Sequence, residues 1–336
     1  MNKEEKDLLK IRQESTKFMK IQKFNYIIDI LGSSIIGWGA LYLAVFKSNS
    51  ILLSSVLSIV SIFALYRLSV FTHELVHIRY QEFPTLHILW NTVAGIPLLI
   101  PHFMYHRVHT IHHNIHEYNR ENDGEYFEFY GKKSTIVSYF IKNLFLPIAL
   151  PFRYIIGSPL SLISKKIRYF VRTHISSMAI QLDYVRKELP NEKEMRYWNI
   201  EETITFIYIL SILVIFTQYI LQIYLTFIIV ISAILTLNTI RFLCATHWYK
   251  KNGKEMSLSE HIQDSIVINN KSVLNTLVIP VGQKYHGLHH ITPSVPGLNL
   301  KRFHNHLKKE LDADNIYFSI CYPSATHVFK RIWRGK

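Results

Sequence analysis

The chain has 336 residues, 49% of them hydrophobic and 18% charged, and its mean hydropathy is +0.12. That balance argues against an ordinary soluble protein and calls for membrane spans before any soluble core. Lys and Arg outnumber Asp and Glu by 38 to 24, a net charge of +14, but no nucleic-acid-binding motif accompanies the excess, which fits a cytoplasmic face against anionic lipid.

Residues 1–23 mix Lys, Arg, Glu and Asp without an apolar stretch, so they read as a cytosolic leader rather than a secretory signal. A first span is predicted at about 24–46 and a second at about 51–71, joined by the polar turn Lys47-Ser-Asn-Ser50. His73-Glu-Leu-Val-His77 follows directly. The apolar stretch Leu86 to Tyr105 contains Gly95, Pro97 and Pro101, and Ser134 to Ser164 contains Pro147, Pro151 and Pro159. Both are expected to lie at the interface or re-enter rather than cross. Between them stands His109-Thr-Ile-His112-His113. A run from Thr203 to Ile240 holds no charge and divides near Thr217-Gln218-Tyr219, giving spans three and four at about 203–221 and 222–243. His286-Gly-Leu-His289-His290 lies in the C-terminal tail.

The fold class expected is therefore all-α and integral to the membrane. Four transmembrane helices carry a helical cap built from 73–202 and 244–336, and 24–336 form one domain. Seven basic residues precede span one, whereas the two outer turns share only Lys47, which puts the N-terminus, the cap and the histidine clusters on the cytoplasmic side. The two cysteines, Cys244 and Cys321, form no CxxC pair and read as ordinary thiols.

Histidine is the abnormal residue, at 18. On a helix, positions i, i+3 and i+4 share a face, so each cluster aims two or three imidazoles at one point. A metal takes three or four protein ligands, so eight imidazoles suit two metals. His247, just past span four, points to the same side and is either a ligand or a bystander. Asp123, Glu125 and Asp264 either orient ligand imidazoles by hydrogen bonds or are solvated carboxylates. His106 and His116 flank the second cluster at i−3 and i+3 of its ends, and the 109/112/113 register is preferred because it repeats 286/289/290.

The order HxxxH, HxxHH, span hairpin, HxxHH resembles the membrane fatty acid desaturase/hydroxylase family over roughly Asp29 to Leu307. Asp123-Gly-Glu-Tyr126, the Arg241 to His247 segment, Pro280-Val-Gly-Gln-Lys-Tyr-His286 and Pro293 to Pro296 with Asn299 and His304 add to the likeness. The resemblance implies His73, His77, His109, His112, His113, His247, His286, His289 and His290 around two iron ions, with dioxygen as co-substrate. It also implies a mushroom shape whose cap covers an acyl tunnel. The activity implied is O2-dependent desaturation of a fatty acyl lipid carried by CoA, acyl carrier protein or phospholipid. No cytochrome b5-like module is recognisable, so electrons are expected from a separate ferredoxin, or from cytochrome b5 with its reductase. A lipid or carotenoid hydroxylase or ketolase shares the same boxes.

Two rivals use different chemistry. His73-Glu74-Leu75-Val76-His77 fits the HExxH of a zinc metallopeptidase, in which Glu is the general base. That reading leaves both HxxHH clusters unexplained. A metal transporter would carry its ligands within the spans, where the run from Thr203 to Ile240 has neither histidine nor charge.

Overall fold

The computed structural model describes residues 3–249 and 256–335; positions 1–2, 250–255 and 336 of the expected leader and cap lie outside the described residues. The leader forms α1 (Lys3–Ser15), which buries Leu8 and Ile11 among apolar side chains of the C-terminal segment. α2 (Lys23–Tyr42) and α3 (Ile51–Val70) make an antiparallel hairpin. The Ser50 side chain caps α3 by accepting from the Leu53 amide. The two helices approach closely at Gly37, where a Cβ would meet the Leu65 side chain at 2.6 Å. Asp29 and Arg67 pair across them, with Nε donating to Oδ1 over 2.7 Å, so neither charge is left alone in the apolar layer.

After Phe71 the chain resumes as α4 (Thr72–His77), so the first histidine cluster prolongs the second span. α5 (Pro84–Trp90) then runs into a π turn at Asn91–Gly95 and a 3-10 turn at His102–Met104. The glycine and prolines of this stretch thus break it into short pieces, as expected. α6 (Val108–His112) carries the second cluster.

α7 (Lys133–Phe152) departs from expectation. With its π turn at Arg153–Gly157 and α8 (Ser158–Ile163) it gives a continuous helical stretch, Lys133–Ile163, long and apolar enough to cross a membrane. Pro147 and Pro151 sit inside α7 without ending it, a tolerance that membrane helices gain when neighbouring groups satisfy the freed carbonyls. Among the described residues five helices rather than four therefore meet the length and composition of a span.

The amphipathic α9 (Lys165–His174) precedes α10 (Glu192–Ile215) and α11 (Ile220–Leu243), the third and fourth expected spans. The break between these two falls at the 3-10 turn Thr217–Tyr219, where the sequence placed it. α10 begins earlier than predicted because Asn191 caps it and its first turns are charged, a signal hydropathy ignores. α12 (Leu258–Asp264) opens with a capping box between Ser257 and Glu260. The remainder is β1 (Val267–Ile268), α13 (Val273–Val278), α14 (His286–Ile291), α15 (Gly297–Glu310), β2 (Cys321–Tyr322) and α16 (Ala325–Arg334). β1 and β2 pair in parallel, Val267 with Cys321, and are the whole of the sheet among the described residues. Outward faces of the spans keep Ile35, Leu52, Val214 and Leu221 exposed, as lipid-facing positions require.

Candidate metal centre

Each histidine cluster becomes a short helix whose start is fixed by backbone geometry. His73 and His77 inherit the direction of α3. α6 starts after Arg107, whose φ of +67° turns the chain sharply. α14 follows Val281 and Gly282, both left-handed at φ +52° and +74°. A Cβ at Gly282 would stand 2.2 Å from the Gly297 carbonyl oxygen, so this turn has no room for a side chain.

The imidazoles gather into two groups. His73, His77, His109, His113 and His289 form one, and His112, His286 and His290 the other; in each, ligand atoms lie within 4.8 Å of one another. The sorting follows helix geometry, because i and i+4 lie closer in angle than i and i+3. In α6 the pair His109 and His113 serves the first group and His112 the second. In α14 the pair His286 and His290 serves the second and His289 the first.

Within the first group the Nε2 of His77 is 2.9 Å from that of His109 and 3.0 Å from that of His289. His113 Nε2 stands 3.0 Å from His109 Nε2 and 3.1 Å from His289 Nε2. In the second, His286 and His290 face each other through Nε2 at 3.3 Å. Hydrogen bonds on the opposite ring nitrogens fix what these atoms offer. A carboxylate only accepts, so His109 donates from Nδ1 to Glu125 over 2.5 Å, and His112 donates from Nδ1 to both oxygens of Asp123 at 3.0 Å. His286 Nδ1 is 3.1 Å from the Ala245 carbonyl oxygen. Each of these rings therefore presents a bare Nε2 lone pair to its group, and both ring nitrogens of buried His73 lack a hydrogen-bond partner, with Glu74 Oε1 3.5 Å from its Nδ1. Ring nitrogens converging this closely, three of them with bare lone pairs, fit a cation, and all-imidazole donors suit iron, zinc or copper.

Electrostatics agree. Burial pushes His109, His113, His286, His289 and His290 well below the usual imidazole range, so they stay neutral and free to ligate. Burial also pulls on His112, but Asp123 beside it prevails and raises it. The Glu125 carboxyl is pushed up to about 7 by burial.

Eight of the nine expected histidines are thus brought together, with Asp123 and Glu125 directly behind two of them. His247 departs from the set. After α11 the chain turns into an antiparallel bridge between Thr246 and Ser265, and this aims His247 Nε2 at the Tyr322 hydroxyl, 3.1 Å away. Asp264 holds no imidazole; its Oδ2 accepts from Tyr118 at 2.9 Å and Tyr126 at 2.7 Å. The residue that sequence reasoning passed over is His261. Its Nε2 lies 2.9 Å from His290 Nδ1, the position a carboxylate occupies behind His109 and His112. Its spacing of i−3 from Asp264 in α12 was the available signal. His106 instead lies 3.5 Å from Glu194, and His116 is exposed.

Glu74 is not free to act as a base. Its Oε2 accepts from the Tyr26 hydroxyl at 2.6 Å and from the Gly297 amide at 2.7 Å, stapling α4 to α2 and to the start of α15. A Cβ at Gly297 would come within 2.4 Å of this carboxylate.

The family model for fatty acid desaturase matches residues 50–321, which include every histidine of both groups. The chain belongs to the fatty acid desaturase family. A ceramide hydroxylase of Caulobacter vibrioides (strain NA1000 / CB15N) is 30% identical to this desaturase-family chain over 312 residues, covering 92% of it and 88% of the relative. No solved structure matches it.

Proposed function

We propose that the chain is a membrane-bound, O2-dependent oxidase of lipid acyl chains, acting at two irons held by His73, His77, His109, His113 and His289 on one side and His112, His286 and His290 on the other. The observation that carries this reading is the division of the eight imidazoles into two adjoining groups with their lone pairs convergent. Iron held there would supply activation of dioxygen for attack on an unactivated C–H bond. The chain's own residues hold His109, His113, His286, His289 and His290 neutral by burial and orient four of the rings through Asp123, Glu125, the Ala245 carbonyl and His261.

Hydroxylation is the favoured outcome, because the hydroxylase relative spans nearly the whole chain. It consumes O2, two electrons and two protons and returns one hydroxyl and one water. Desaturation is the second reading, favoured by the family match; it takes the same reductant and yields a double bond and two waters. Both need a separate electron donor of the ferredoxin or cytochrome b5 class, and both fit a cytoplasmic N-terminus and histidine boxes.

Expression in a host of simple lipid composition, followed by mass spectrometry of total lipids, tests the proposal. A chain gaining one oxygen supports the hydroxylase, and a chain losing two hydrogens the desaturase. His112→Ala should erase either product. Glu74→Gln should keep part of the activity; loss equal to a histidine variant would favour the HExxH peptidase, as would the absence of any altered lipid.

A further inference from the structure

Next to His73, at the C-terminal end of α11, is a cavity of about 70 Å³ bounded by Ser69, Thr72, His73, Tyr105, Asn238 and Arg241 and otherwise by apolar side chains such as Ile234. It has room for roughly five water-sized groups. Arg241 is the unusual member. It is only 5% exposed and belongs to a membrane-spanning helix. Its Nε donates to Asn238 Oδ1 at 2.9 Å, its Nη1 donates to Gln283 Oε1 at 2.6 Å, and its plane lies over the Phe242 ring at 4.4 Å. No carboxylate pairs with it among the described residues, and no partner meets Nη2 there.

A guanidinium in an apolar layer whose hydrogen-bond partners are neutral, with Glu125 as a more distant countercharge, is costly, and cations beside His73 would add to the repulsion. Two side-chain amides fix its plane, which is how a binding group is pre-organised rather than how a charge is neutralised. The remaining donor asks for an oxygen. Most of the cavity wall is apolar and the helix is long and apolar enough to cross a membrane, so an oxygen carried on a lipid suits it best. The space is too small for a phosphate with its ester substituents, but suits one carbonyl.

On the reading that lipid chains are oxidised here, we infer that Arg241, held by Asn238 and Gln283, binds the carbonyl oxygen of an acyl ester or acyl amide and so sets the reacting carbon close to that carbonyl. Arg241 and His73 line the same cavity, so a carbonyl bound at one lies beside the other. The site then favours oxidation at the polar end over mid-chain methylenes.

Binding tests this without turnover. The full chain in detergent is titrated with N-palmitoylsphingosine, with a palmitoyl-containing phosphatidylcholine, and with n-hexadecane, which has the chain without the carbonyl. Arg241→Met should weaken the carbonyl lipid by about 10- to 100-fold, the worth of a charge-assisted hydrogen bond, while hexadecane binds as before. Arg241→Lys should recover part of the loss. The amide and ester arms tell which lipid is the source. Equal weakening of hexadecane and carbonyl lipids would mean a structural role and overturn the inference, as would unchanged binding in R241M. Should R241M fail to fold, Asn238→Leu, which frees the guanidinium, must weaken the carbonyl lipid selectively or the inference fails. In the iron-loaded protein, a product oxidised at mid-chain would also overturn it. Carbonyl-selective binding with no lipid oxidised would instead sink the proposed function and leave the subsite standing.

Discussion

Four of the eight clustered imidazoles are held from their far side. Glu125, Asp123, the Ala245 carbonyl and His261 stand behind His109, His112, His286 and His290, and such partners fix ring tautomer and orientation. Removing one should cost about 10- to 100-fold in metal affinity. Glu125→Gln and Asp123→Asn are therefore expected to retain the fold but lose iron during dialysis against a chelator, read by elemental analysis. His286→Ala should drop one iron per chain outright, because its group has three histidines. His247→Ala should keep both. The clusters themselves were legible in the sequence because helical spacing dictates which rings converge. His247 was not, since its aim depends on the turn after α11 and on Tyr322, 75 residues away. His261 escaped notice for the same reason: a lone histidine acquires its role only when α12 packs beside α14.

Elements explain the rest of the site. The three cluster helices are only five or six residues long, too short to be stable alone, so packing and turns hold them. α15 is one such support, with His304 wedged between the Tyr317 hydroxyl at 2.6 Å and the Asn269 side chain at 3.2 Å. Burial pushes His304 down to about 4, and likewise His247 and His261 down to about 3. A depressed imidazole stays neutral in the fold while the unfolded chain takes up a proton near 6.5. The unfolded state then binds more protons between about 6.5 and 4, so stability falls as pH drops through that window and is flat above it. The metal-free protein should show a melting temperature that declines from pH 7 to pH 5, and His304→Gln should make that decline shallower. An unchanged pH dependence in His304→Gln would contradict the burial of this ring, because the raised Glu125 carboxyl, which works in the opposite sense, is common to both proteins. Spans at 24–46 and 51–71 and the break at Thr217 were readable from hydropathy. α7 was not, because proline is a poor guide where neighbouring helices can satisfy freed carbonyls.

At the scale of the whole molecule, the histidines cluster at the ends of spans rather than within them, which suits a substrate presented from the bilayer. The charge pattern predicts that the leader and both cluster groups share one side, opposite the Ser48–Ser50 turn. Single cysteines placed at Lys10 and at Asn49 in a background without Cys244 and Cys321 should label from opposite sides of sealed membranes, Asn49→Cys alone reacting with an impermeant maleimide from outside the cell. Equal labelling of both would refute that topology. The central claim concerns the metal, and elemental analysis with Mössbauer spectroscopy of the purified protein from an iron-57-fed host tests it most directly. Two irons per chain in nitrogen-rich coordination are the expected result. A single zinc with no iron, retained after iron reconstitution, would contradict the account.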